Sequence, residues 1–172
     1  MCIIKRAVKQ TDPKSGEMMP DEGEDADAIG AACARRMLEG DRVSRGLGIA
    51  LVSAGAGRAV LQMTVREDML NGFGTCHGGV LYTFADTALS CACNSRNRRS
   101  VAHHCSIIYL RPGKPGERLT ASAVERSRAG RVVLYDVKVT DPSGTVIGEF
   151  LGHARLIGGA VIPEQASAGE RN

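Results

Sequence analysis

Residues 71–94 read NGFGTCHGGVLYTFADTALSCACN, which sets a glycine pair at a helix start and a single carboxylate, Asp86, deep inside the helix that follows. Apart from His77, no other side chain between Asp68 and Arg96 carries a full charge without unusual chemistry. A solvated helix face carries several charges, paired three or four residues apart. A helix this apolar therefore has to be covered by the rest of the chain. An acid inside it must be met by specific partners or must do chemistry.

The remaining sequence supplies the cover. Over residues 27–38, Ile29, Cys33, Met37 and Leu38 recur at helical spacing and predict a short amphipathic helix. Residues 47–53 and 58–65 flank the small-residue turn AGAG, a hairpin signal, and Ala59, Leu61, Met63 and Val65 alternate onto one face of the second strand. After the central helix, residues 101–109, 118–126, 131–140 and 145–157 predict four strands. They are separated by RPGKPGE, by Ala129-Gly130 and by Asp141-Pro142-Ser143-Gly144. Short separators favour antiparallel neighbours, so these strands read as a four-strand meander. The expected class is α+β, an antiparallel sheet wrapped around one long central helix. Residues 1–26, mixing Pro, Gly and charge, read as a flexible extension, 27–159 as the domain, and 160–172 as a loose tail.

Composition removes several functional classes. The chain has 172 residues, enough for one domain to bury its own core. With three Phe, three Tyr and no Trp it lacks the stacking platforms of a single-stranded nucleic-acid binder. No DNA-binding helix or basic tail accompanies the domain, so no nucleic-acid partner is expected. Residues 1–40 hold six Lys/Arg against eight Asp/Glu and the remainder sixteen against eleven, so the body is mildly basic, as suits a phosphate-bearing small molecule. Cys2, Cys33, Cys76, Cys91, Cys93 and Cys105 show no CxxC pairing and sit among apolar residues. They read as reduced, buried thiols with neither disulfide nor metal. No segment approaches a membrane span or a signal-peptide core, so a soluble, cytoplasmic protein is expected.

The chemistry gathers at the helix start. Gly78 and Gly79 leave backbone N–H groups at the positive end of the helix dipole, open to a ligand oxygen: an oxyanion hole. One such donor is worth roughly 3 kcal/mol where negative charge develops on an ester or thioester oxygen. Asp86 is the group that can activate water. Gly78 and Asp86 are eight residues apart, however, about 12 Å along one helix. Two antiparallel copies related by a two-fold axis would bring Gly78 of one subunit to Asp86 of the other, so an ester-cleaving chain of this kind is expected to be an obligate dimer.

The run NGFGTCHGGVLYTFADTA, the segment YLRPGKPGERLTA and the closing GHARLIGG together resemble the PaaI-type (phenylacetic-acid-degradation) thioesterases of the hotdog fold, over roughly residues 47–159. The resemblance implies an acyl-coenzyme A (acyl-CoA) thioesterase needing no cofactor, acting on aryl or arylacetyl thioesters, as a dimer that pairs into a tetramer. It implies that the Gly78 N–H polarises the thioester carbonyl and that Asp86 is nucleophile or general base from the opposing subunit. Asn71 would position water or the carbonyl, and His77 would stand beside the oxyanion site. Gly79, Thr87 and Ser90 fall in the substrate-binding set, Ser90 one turn after the acid. His103 and His104 stand where small or polar residues are expected and would shape the acyl pocket.

Each assignment has a structural competitor. Asp86 could cap a loop, His77 could make a helix-entry hydrogen bond, Asn71-Gly72 could simply set a turn, and Gly78 and Gly79 could serve packing. Cys76 beside His77 invites a nucleophile–base reading, but adjacent side chains rarely face one another. Arg111, Arg126, Arg128 and Arg131 are candidates for the coenzyme A phosphates, against an ordinary solvated surface. A hotdog hydratase would want a His five residues after the acid, where this chain has Cys91. A non-catalytic acyl-CoA sensor would keep the pocket without turnover.

Overall fold

The computed structural model describes residues 23–163. The expected extension up to residue 22 is therefore outside the described residues, as are Cys2 and the tail from residue 164. Helix α1 (Glu24–Gly40) starts three residues before the expected 27. Next come helix α2 (Arg42–Leu47) and strands β1 (Ala50–Gly55) and β2 (Arg58–Thr64). Helix α3 (Gly78–Asn94) is central, followed by strands β3 (Ser100–Tyr109), β4 (Arg118–Ala129), β5 (Val132–Thr140) and β6 (Val146–Leu156).

All six strands form one antiparallel sheet in the order β1-β2-β4-β5-β6-β3. The expected four-strand meander is corrected here: β4, β5 and β6 form a meander, but β3 pairs with β6 at the far edge and β2 takes its place beside β4. The segment joining β3 to β4 crosses the start of α3, where the Cys76 N–H donates to Gly113 O (2.9 Å) and the Val65 N–H to Glu117 O (2.9 Å). A meander would have left β2 unpaired on one side of the helix. The crossover closes the sheet around both flanks of α3.

Alternation along the strands supplies the concave face. Ala59, Leu61 and Met63 of β2, Leu119, Ala121 and Ala123 of β4, and Val133, Tyr135, Val137 and Val139 of β5 are all buried. They pack on Leu81, Phe84, Ala85, Ala88, Leu89 and Ala92 of α3, the apolar run that demanded a wrap. Small residues let the layers approach. A Cβ on Gly152 of β6 would lie 2.5 Å from Leu89 Cδ2, so the sheet comes closest to the helix where β6 has no side chain.

Helix α1 docks the same way. A Cβ on Gly30 would lie 2.7 Å from the backbone carbon of Gly55, and Asp27 anchors the contact by accepting from the Ala56 N–H (3.1 Å) and pairing with Arg58. Because the obstacle is backbone, Gly30→Ala is expected to destabilise the fold by about 1–3 kcal/mol, more than the ~1 kcal/mol of helix propensity that Ala gains. A urea midpoint below that of the native chain is the check.

Residues 47–53 are a second correction. The sequence reads as strand from Leu47, but Leu47 ends α2, Gly48 turns left-handed (φ 67°) and the strand starts at Ala50. Asp41 caps α2, accepting from the Val43 and Ser44 N–H groups (both 3.0 Å). The start of the expected loose tail is also held, since Asn97 Oδ1 accepts from the Val161 and Ile162 N–H groups (both 2.9 Å).

Candidate active site

The start of α3 is built by the loop before it. Asn71 Oδ1 accepts from the Phe73 N–H (2.9 Å) and, at 3.3 Å, from the Thr75 N–H and hydroxyl, while Asn71 Nδ2 donates to Thr75 Oγ1 (3.0 Å). The Asn71 side chain thus closes its own turn. That turn sets the direction of residues 76–78 and leaves Phe73 93% exposed at its tip.

His77 is the N-cap of α3, and its Nδ1 accepts from the Gly79 N–H (2.9 Å). This bond makes Nδ1 the acceptor of the ring and fixes its orientation. It also divides the two glycines. The Gly79 donor is consumed, whereas the Gly78 N–H meets no acceptor among the described residues. Gly78 is further fixed by Tyr109 of β3, whose hydroxyl donates to Gly78 O (2.9 Å) and whose ring would lie 3.2 Å from a Cβ at that position. One free donor at a helix N-terminus, approachable because residue 78 has no side chain, is what an oxyanion requires.

Asp86 lies two turns further on, half-buried, with Cys105 Sγ of β3 3.9 Å from its Oδ1. Burial pushes its carboxyl above the ordinary range, partly opposed by the Cys105 hydrogen bond and reinforced by the negative charge of Asp41. Such a group is a stronger base than a solvated aspartate. Ser90, one turn on, is also half-buried. Thr87 is only 6% exposed; its hydroxyl donates to Thr83 O (2.9 Å) and lies 3.1 Å from the buried Ser44 hydroxyl, which itself bonds Asp41, and so clamps α3 to the start of α2.

The other candidates divide. Arg111 is exposed two residues beyond Tyr109, at the Gly78 end of the helix. Arg128 is not a free cation: it joins Glu125 (3.1 Å), as does Arg96 (3.2 Å), and the Tyr135 hydroxyl donates to the same carboxylate (3.2 Å). Arg126 pairs with Asp136 (3.5 Å), and Arg131 Nε donates to Leu156 O (3.2 Å). His103 and His104 are exposed on β3, with ring centroids 6.1 and 5.1 Å from that of His153 on β6.

Cys76 is buried, and its thiol is pushed up to about 11 by desolvation, so it is a protonated core residue and not a nucleophile. All five described cysteines are free. Cys105 and Tyr109 were not foreseen as site residues. Among the described residues, no group of three or more His, Cys, Asp or Glu side chains is arranged to hold a metal, and no helix is long and apolar enough to cross a membrane.

A cavity of about 470 Å³ lies between α1 and the Ser100 end of β3, and none of the candidate site residues lines it. Strand β3 borders both Gly78, through Tyr109, and Asp86, through Cys105. That strand is an edge, ten residues long, with Val101 (46%), Ile108 (62%) and Tyr109 (49%) exposed.

Comparison with known proteins identifies the family. A profile described as the thioesterase superfamily matches residues 73–147. The chain is 40% identical to acyl-coenzyme A thioesterase PaaI of Escherichia coli over 131 residues, covering 76% of this chain and 94% of that protein. It is 34% identical to human acyl-coenzyme A thioesterase 13 over 110 residues, 62% of this chain and 79% of that one. The solved structure of E. coli PaaI, from the phenylacetic acid degradation operon, superposes with a TM-score of 0.77 at 38% identity, covering 78% of this chain and 98% of that one. The chain belongs to the PaaI-type acyl-CoA thioesterases of the hotdog fold, within the thioesterase superfamily.

Proposed function

We propose that this protein hydrolyses aryl and arylacetyl thioesters of coenzyme A, at a site shared between two copies of the chain. The observation that carries the reading is the division of the glycine pair, with the Gly79 N–H bound to His77 and the Gly78 N–H open. The thioester carbonyl oxygen accepts from the Gly78 N–H of one subunit. Asp86 of the other either removes a proton from water as it attacks, or attacks the carbonyl carbon itself to give an acyl-aspartyl anhydride that water then hydrolyses. The carbonyl–sulfur bond breaks and coenzyme A leaves as its thiolate. Water supplies the oxygen of the acid and the proton that coenzyme A finally carries, so no cofactor enters.

A shared site answers the roughly 12 Å between Gly78 and Asp86 on one helix. The exposed β3 edge supports it, because a long apolar edge strand is one that native proteins pair or cover. Pairing β3 with β3 about a two-fold axis would lay the two copies of α3 antiparallel. Asn71 then acts through the loop that aims Gly78, and His77 by holding the Gly79 N–H. Gly79 keeps the approach to the carbonyl open, and Ser90 lies one turn from the acid for the attacking water. His103 borders the acyl group, Arg111 meets coenzyme A phosphate, and dimers pair into tetramers. Arg128 and Thr87 have no ligand role.

Gly78→Pro removes the donor while keeping the first helical position, and the Tyr109 ring, 3.2 Å from a Cβ there, has to shift by a few tenths of an ångström. Proline is favoured at the first helical position, and the His77 ψ of 134° suits a residue preceding proline. Thiol release from phenylacetyl, benzoyl and straight-chain coenzyme A thioesters is expected with the native chain, fastest for the aromatic ones. In Gly78→Pro, kcat should fall about a hundredfold or more. Binding without release by the native chain would make it a sensor instead.

A further inference from the structure

We propose that Cys105 is a positioning residue for this reaction, its thiol holding the Asp86 carboxylate in its working orientation. The inference rests on the functional reading above and goes beyond it. Cys105 and Ile107 are the half-buried residues in an otherwise exposed stretch of β3 from Val101 to Tyr109, so both turn inward toward α3. A register shift between Ala102 and His104 precedes them and sets which residues of β3 face the helix.

The sulfur donates its proton to Asp86 Oδ1, 3.9 Å away, from the inward face of β3. Burial, with Asp86 nearby, raises the Cys105 thiol, which keeps the donor protonated at neutral pH. Among the described residues, the titratable groups around Asp86 are Tyr82 and Cys93 on α3, Cys105 on β3 and Asp41 before α2. None of these four is cationic. The ionised carboxylate therefore draws on the Cys105 S–H in place of an ion pair.

The test is the pH profile of kcat/KM for the native enzyme, Cys105→Ala and Cys105→Ser. Losing the donor should move the acid limb up by about half a pH unit, a threefold change in the ionised fraction on that limb. The serine hydroxyl, a stronger donor than a thiol, should return the limb to the native position or below it. KM should stay within about twofold throughout, while plateau kcat falls in the alanine variant. An unmoved limb in Cys105→Ala, or a serine variant shifted the same way as alanine, overturns the proposal. Carboxyl NMR titration of Asp86 in the same variants reads the shift without turnover. A native chain that hydrolyses no thioester would thus refute the functional reading, while the NMR shift decided Cys105 separately.

Discussion

Asp86→Asn is expected to lose about a thousandfold of thioester hydrolysis and, at pH 7.5, to melt at a higher temperature than the native protein. The two effects share one cause. Burial holds the Asp86 carboxyl above its ordinary range, so the folded state has to keep a desolvated charge at neutral pH. The sign follows from linkage. A raised folded-state value gives stability that is fully present below the unfolded value, near 4, and is lost as pH rises through the folded one. The amide has no charge to desolvate, so the native melting temperature should fall behind that of the variant as pH rises and meet it near pH 4. Thermal melts across pH 4–8 beside a thiol-release assay read both halves. An acid that served only to cap a loop would lose stability on becoming Asn.

Glu125→Ala should do the reverse, costing about 3 kcal/mol and some 6–12 °C of melting temperature for a chain of this size, with kcat at 20 °C close to native. Glu125 joins Arg96, just beyond α3, to Arg128 and Tyr135 of the sheet, and its side chain is 17% exposed. Removing it takes the shared carboxylate from Arg96 and Arg128 and leaves the hydroxyl of Tyr135, itself 1% exposed, without its acceptor. Burial raises the Glu125 carboxyl, but Arg128 and Arg96 outweigh it and the group sits below its usual range. Its contribution is therefore present above the ordinary glutamate value and lost as pH falls through the lowered one. Native and variant melts should converge below about pH 4. A cluster that merely decorated the surface would leave the melting temperature unchanged at pH 7.

The elements visible in the sequence are those with an unambiguous period. The apolar run of α3, the alternation of Ala59, Leu61 and Met63, and the turn residues between β4, β5 and β6 read directly, because burial on one face leaves a pattern. Helix α2 left none. Its six residues, RVSRGL, bury Ser44 and depend on the Asp41 cap, so no apolar spacing announces it. The position of β3 was hidden too, since short separators favour neighbours and only the need to wrap both flanks of α3 sends it to the far edge.

The candidate site divides along the same line. Gly78, His77 and Asp86 are consecutive-motif residues, and the sequence names them. Cys105 is a long-range partner of Asp86 through the register of β3, which no local pattern encodes. The pairing of Arg128 with Glu125 is hidden for a related reason. Three residues after Glu125 a regular strand would point Arg128 to the opposite face, but the register shift between Glu125 and Ser127 turns it back.

If each site takes Gly78 from one chain and Asp86 from another, mixed dimers regain activity that neither variant has alone. Asp86→Asn and Gly78→Pro proteins are each expected to be inactive as homodimers. Unfolded together in equal amounts and refolded, they should recover about a quarter of native activity, since half the dimers would be mixed and each mixed dimer would hold one intact site. Activity that stays at the level of the separate variants, with mixed dimers demonstrably formed, would place both groups in one chain and contradict the shared site.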